Sequence, residues 1–182
     1  AACRRLTGKT ALIVHYELDT GLVFRVDAPE RVGRDRIADA AAAAALYPLP
    51  CMTVDLGTAT TYNVISAGRE FLGGFIVPGV LTSLRAISAG TAQLPPIAPE
   101  PPQDLIGRNT VEALNNGAMF GTAAMLDGLA DRVEARLGAP LTVVATGGLA
   151  PHILPCCRRP VRYDADLLFK GLALLWERNA TV

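Results

Sequence analysis

Apolar positions in this chain fall into blocks whose period alternates between two and nearly four. The runs TALIVHYEL (10–18) and LVFRVDA (22–28) are rich in β-branched and aromatic residues. Asp-Thr-Gly separates them, and Gly21 tolerates a positive φ, so the pattern predicts a β-hairpin closed by Pro29. DRIADAAAAAALY (35–47) has helical composition, starts on Asp35 and stops at Pro48 and Pro50. CMTVDLG (51–57), TTYNVIS (60–66) and EFLGGFIVPG (70–79) read as three strands in a meander, the last ending in glycine-rich bends. Leu81, Leu84, Ile87 and Leu94 then recur at helical intervals over 80–94, and PPIAPEPP (95–102) reads as an extended polyproline-like loop.

A long helical tract follows over 110–138, with Thr110 as its expected cap and Gly138 as its stop. Gly117 and Gly121 lie inside it; each costs about 1 kcal/mol against Ala, so a close approach or a kink is expected there. LTVVATGG (141–148) predicts a strand running into paired glycines, and DLLFKGLALLWERN (166–179) an amphipathic closing helix. From residue 51 the order is three strands, two helices, a strand and a helix, which defines a mixed α/β fold. A boundary is expected near residues 48–50, with 10–47 as the tail of an earlier unit.

Composition narrows the function classes. The chain has 182 residues, 51% hydrophobic and 19% charged, enough for a well-filled core. The 17 basic and 17 acidic residues cancel, which removes a bulk electrostatic case for nucleic acid or an anionic membrane as partner. Cys3, Cys51, Cys156 and Cys157 have no zinc spacing and form no disulfide framework. The alanine run is far too short for a membrane span, and no stretch has a signal-peptide layout, so the expected location is cytoplasmic. The chain opens on Ala1 rather than Met, from which a missing or processed leading part is expected.

Three segments carry candidate chemistry. In VDLGTATT (54–61), Asp55 stands at the end of a buried-type strand, followed by Gly57 and the hydroxyls of Thr58, Thr60 and Thr61. Successive amides in such a turn form an anion nest, and a carboxylate beside it suits a cation. A β-turn capped by Asp55 explains the same residues. VGRDR (32–36) puts Asp35 between Arg34 and Arg36 at a helix start, where it serves as a proton acceptor or as a cap; Arg36 can fork onto a carboxylate. Gly147 and Gly148 in ATGGLA (145–150) admit a flat ligand or merely tight strand–helix packing. His152 reads as a loop histidine, and the Cys156–Cys157 pair as inert thiols.

VGRDR, VDLGTATTYNVI, FLGGFIVPG, IGRNTVEALNNGAMFG, VVATGGLA and ADLLFKGLALLWERN, in that order, resemble the type III pantothenate kinases of the acetate kinase, sugar kinase and actin-like superfamily. The resemblance implies two ribonuclease H-like domains with nucleotide between them. Residues 1–50 would be the remainder of an incomplete first domain, and 51–182 an essentially complete second. It implies ATP-dependent phosphorylation of pantothenate, the first step toward coenzyme A, with Mg2+ and a monovalent cation (K+ or NH4+), in a homodimer. By motif, Asp35 corresponds to the general base, and Gly33, Arg34, Arg36 and Thr110 to pantothenate contacts. Gly57 and Thr58 correspond to the second phosphate loop, Gly147 and Gly148 to the adenosine side, and Asp55 to the monovalent-cation ligand.

Two departures qualify that correspondence. Arg34 stands where relatives commonly carry Ala. The family's first phosphate loop, Asp-x-Gly-Asn-Thr, has no match upstream of residue 10. Truncation is the favoured explanation, with weak or absent kinase activity expected of this chain alone. The alternatives are a degenerate, non-catalytic binding or regulatory subunit and another phosphotransferase or hydrolase of the superfamily.

Overall fold

The computed structural model describes residues 5–6, 8, 11–90 and 94–180. Its centre is a six-stranded sheet in the order β1-β4-β3-β2-β5-β6. The strands are β1 (Val23–Phe24), β2 (Cys51–Leu56), β3 (Ala59–Ile65), β4 (Glu70–Pro78), β5 (Thr142–Thr146) and β6 (Arg162–Tyr163). β2, β3 and β4 form the expected antiparallel meander, while β5 joins β2 in parallel, β6 joins β5 in parallel and β1 joins β4 in parallel.

Alternation along the strands feeds two helical layers. Met52, Val54 and Leu56 of β2 and Val143 and Ala145 of β5 form one core with Met119, Ala123, Leu126 and Ala130. Those four belong to α3 (Thr110–Leu137), and α2 (Val80–Gly90) adds Val80 and Leu84. On the other face, Cys51, Ile65 and Phe71 meet α1 (Arg34–Leu46) through Ala40, Ala43 and Ala44. α5 (Leu167–Asn179) packs beside α1, with Leu175 against Ile37, Ala38 and Ala41. The alanine run therefore serves close packing: residues 37–44 of α1 are all buried, and small side chains let the helix approach sheet and neighbour together. A short α4 (Ala150–Ile153) and the two-residue β6 have no counterpart in the expected element order, because neither is long enough to impose a period.

The glycine pair in β4 has a structural job. Register shifts between the Asn63 and Ile65 pairings, so that Phe71 faces α1 whereas Phe75 and Val77 face α3. Gly73 takes φ +96° at this bulge, and a Cβ on Gly74 would collide with the carbonyl of Tyr62.

The hairpin expected over 10–28 is not present. The start of its first run, Thr10, lies outside the described residues; residues 11–18 form no strand, and the chain turns at His15–Leu18. Val23–Phe24 instead pairs with Glu70–Phe71, and the rings of Phe24 and Phe71 sit 5.2 Å apart. An isolated hairpin is marginal, and the apolar side chains gain more by packing: Val14 and Tyr16 join the α1–α5 core. Two further expectations change. Asn109, not Thr110, caps α3: its side chain accepts from the amide of Glu112, whose carboxylate accepts in return from the amide of Arg108. Gly117 and Gly121 lie within an uninterrupted helix, and an added Cβ at either would meet nothing within 4 Å. Gly138 ends the helix as expected, at φ +66°. Of the helix expected over 80–94, residues 80–90 are helical and 91–93 lie outside the described residues.

Candidate functional site

Asp55 is the next-to-last residue of β2 and points to the α1 face, the opposite direction from Val54 and Leu56. Its register partners are Thr61 of β3 and Thr146 of β5, so a hydroxyl flanks the carboxylate on each side. Just past Thr146 the chain bends at Gly147, φ +95°, and a Cβ there would lie 2.8 Å from Oδ1 of Asp55. Only glycine lets the β5 turn approach the carboxylate so closely. Gly148 is exposed, with open space around it, ahead of α4.

The β2–β3 turn carries Gly57 and Thr58. The Thr58 carbonyl is pinned from behind: the amide of Gly79 donates to it at 3.1 Å and the hydroxyl of Thr82 at 2.7 Å. A Cβ on Gly79 would strike both Gly57 and Thr58 carbonyls, so the β4–α2 junction fixes the turn while leaving Thr58 exposed at its tip. Gly79 closes the glycine-rich bend 73–79 read from the sequence as lying beside the cleft or as a simple turn, whereas Thr82 was not a sequence candidate, since its signal is a contact across 24 residues.

α1 begins at the same end of the sheet. Gly33 is its N-cap and makes no side-chain cap, which leaves Asp35 exposed in the first turn, with Oδ1 accepting from the amide of Arg36 at 2.9 Å. Arg34 is exposed, whereas Arg36 turns inward. Its Nε donates to Asn63 Oδ1 at 2.6 Å, its Nη2 to the carbonyl of Tyr62 at 3.4 Å, and its guanidinium lies 5.7 Å from the ring centre of Phe71. Asn63 in turn donates to Thr53 at 2.9 Å. Arg36 thus fastens the start of α1 to β3; burial lowers its pKa, and Asp35 opposes that shift.

One carboxyl escaped the sequence reading. Asp39, one turn beyond Asp35 in α1, is 2% exposed, and its Oδ1 has no hydrogen-bond partner. Burial, then the charge of Asp55, then that of Asp35 push its pKa up to about 7. Asp55 is raised as well, by burial first and Asp35 second. The three carboxyls therefore lie within one another's field. The signal for Asp39 was a lone acid in a run otherwise entirely apolar.

Thr110 does not join this group. It is exposed at the start of α3, in the layer on the opposite face of the sheet from α1. There the proline-rich segment folds back onto the helix: Asn115 bonds both the amide and the carbonyl of Glu100, and Asn116 donates to Asp104 O. The two enclose a cleft of about 600 Å³ lined by Ile97, Ile106, Val111 and Asn116 among others. Burial raises the Cys156 thiol and pushes Cys157 up to about 11, in keeping with the inert pair expected, and it pushes Cys51 up to about 12.

Among the described residues, no group of three or more His, Cys, Asp or Glu is disposed to hold a metal ion. Asp55, the one half-buried carboxylate flanked by the Thr61 and Thr146 hydroxyls, fits a singly charged ion better than a divalent ion held by protein alone. No described helix is long and apolar enough to cross a membrane.

Helix–sheet–helix layering makes this a mixed α/β protein, with glycine-lined carboxylates at the carboxyl ends of two parallel neighbours, the position at which open α/β sheets commonly bind ligands. The profile of the type III pantothenate kinase family matches residues 1–132. Curated type III pantothenate kinases are similar over most of the chain: that of Hyphomonas neptunium is 43% identical over 178 residues, 98% of this chain and 70% of the relative. That of Acidothermus cellulolyticus is 42% identical over 168 residues, 92% and 66% respectively. That of Phenylobacterium zucineum is 38% identical over 176 residues, 97% and 68%. The chain belongs to the type III pantothenate kinase family. It spans about two thirds of the length of these relatives, 70%, 66% and 68% in the three cases. In fold it is similar to a conserved putative Baf family transcriptional activator from Campylobacter jejuni, with a TM-score of 0.63 at 23% identity over 87% of this chain and 69% of that one.

Proposed function

We propose that the protein of which this chain is part transfers the γ-phosphoryl group of ATP to the hydroxyl of pantothenate, giving 4'-phosphopantothenate and ADP at the first step of coenzyme A synthesis. The observation that supports this best is the convergence of Asp35, Asp55, the pinned Gly57–Thr58 turn and the Gly147 bend at one end of the sheet in a member of this family. In the reaction the pantothenate oxygen attacks the γ-phosphorus, the bond to the β–γ bridging oxygen breaks, and the hydroxyl proton passes to Asp35 and on to solvent. An exposed carboxylate suffices, because phosphoryl transfer depends on positioning and charge neutralisation more than on a strong base.

Gly57 and Thr58 offer amides and a hydroxyl to phosphate oxygens, and Gly147 and Gly148 leave room for the adenosine side. Asp55 would hold K+ or NH4+, and this ion together with Mg2+ would supply positive charge against that of the phosphates. Gly33 and Arg34 border the pantothenate. Arg36 acts by anchoring the helix that presents Asp35, which revises the direct clamp its sequence position suggested. Thr110, on the far face, reaches a pantothenate site through the second copy of a homodimer. We assign the fold to the ribonuclease H-like class, with residues 1–50 in a first domain and 51–182 in a second, and the location to the cytoplasm.

Asp35→Asn in the whole protein is expected to lower turnover at least about a hundredfold while nucleotide affinity changes little. Coupled ADP release and nucleotide titration measure the two. Equal loss of both would make Asp35 a structural residue, and ADP release by the unmodified protein that stays near zero even with pantothenate present would favour a non-catalytic binding subunit.

A further inference from the structure

The Arg36–Asn63–Thr53 chain uses the hydrogen-bonding groups nearest the start of α1, yet leaves the most buried carboxyl of the region without a partner. Helical spacing locates that carboxyl. Three residues before Asp39, Arg36 reaches Asn63 of β3; three residues after it, Ala42 packs with Val144 of β5. Asp39 therefore faces the sheet over β2, the strand between, where Asp55 projects toward the same layer. Two carboxyls face that layer, Asp39 fully buried and Asp55 half-buried. No described cationic side chain pairs with either: Arg36 is engaged by Asn63, Tyr62 and Phe71, and Lys170 is held by Asp164.

We propose that Asp39 is a second protein ligand of the cation at Asp55, its unpartnered Oδ1 and the Asp55 carboxylate gripping one singly charged ion from opposite sides. The inference rests on the reading of Asp55 as a cation ligand and extends it to a residue in another layer of the fold. A bare, buried carboxylate oxygen is costly, and a cation beside it removes both the missing contact and the repulsion from Asp55. The hydroxyls of Thr61 and Thr146 flank the position, and oxygen ligands of this kind suit a large monovalent ion. The site would then also tie α1 to β2, so that cation binding steadies the helix that presents Asp35.

The test uses thermal unfolding of the whole protein without nucleotide, titrated with KCl against choline chloride at constant ionic strength. The unmodified protein is expected to gain Tm with K+ in a saturable manner. Asp39→Asn, nearly isosteric, is expected to raise the half-saturating K+ concentration at least about tenfold, and Asp55→Asn to abolish the response. An unchanged K+ response in Asp39→Asn, with the response lost in Asp55→Asn, overturns the proposal but leaves the Asp55 reading standing. No K+ response in the unmodified protein overturns both. Should Asp39→Asn fail to fold, crystals of the unmodified protein soaked in thallium(I) acetate decide: anomalous density touching both Asp39 and Asp55 supports the proposal, and density on Asp55 alone overturns it.

Discussion

Two buried aspartates of this chain show how partners decide what a carboxyl does. Asp164 accepts from Tyr47 Oη at 2.7 Å, from Lys170 Nζ at 2.7 and 2.8 Å, and from the amide of Asp166 at 3.1 Å. Burial would raise its pKa, but the hydrogen bonds from Lys170, Tyr47 and the Asp166 amide together outweigh burial and leave it below the ordinary value. A depressed folded-state pKa means that the ionised group stabilises the fold above the unfolded-state pKa of about 4, and that this contribution is lost as pH falls through the folded value. Asp164→Asn is thus expected to cost about 1–3 kcal/mol at pH 7, with the gap to the unmodified protein narrowing as the pH falls below about 4. Urea unfolding at a series of pH values measures it, and a gap constant with pH would remove the charge from the explanation. Asp39 is the converse: as deeply buried, with no such partners, and raised instead of lowered.

At the scale of elements, one glycine lets α5 pack close against α1. A Cβ on Gly171 would run into the carbonyl and Cα of Ala38, backbone atoms that cannot swing aside. Gly171→Ala is expected to destabilise by about 1–3 kcal/mol or more, although alanine is the better helix former, because the two helices must separate. Equilibrium denaturation measures this, and a gain of stability would show that the helices part easily. Gly171 was legible only as a residue inside a helix, which marks the general limit of the sequence. Elements with a sustained period, α1, the β2–β3–β4 meander, α3, β5 and α5, were readable because burial of one face writes itself into every second or every third to fourth residue. The 10–28 hairpin was not, since its apolar residues answer to β4, α1 and α5 rather than to each other. The site divides in the same way. Asp35, Asp55, Gly57, Thr58 and Gly147 sit in local motifs, whereas Asp39, Thr146, Gly79 and Thr82 acquire their places only when strands and helices come together.

For the whole molecule, the outer face of α3 is the surface that the chain itself leaves unexplained. Ala113, Gly117, Gly121 and Ala124 line an exposed stripe, at intervals of four, four and three residues. Interior glycines weaken a helix by about 1 kcal/mol each, and among the described residues nothing approaches Gly117 or Gly121 closely enough to require them. Exposed Leu105, Ile106 and Val111 extend the stripe at the helix start, beside Thr110. A second copy packed there by a twofold axis would use the bare backbone for close approach, cover those apolar residues, and carry Thr110 out of its own layer toward the partner's site. Gly117→Leu with Gly121→Leu is therefore expected to shift the protein from dimer to monomer in sedimentation, with nucleotide affinity retained and the KM for pantothenate raised at least about tenfold. Both glycines are exposed and their would-be side chains meet open space, so the monomer should remain folded and helical. A dimer that survives both leucines would move the interface off α3. A monomer with unchanged KM would show instead that Thr110 has no part in pantothenate binding, leaving the carboxylate end of the sheet to bind that substrate within one chain.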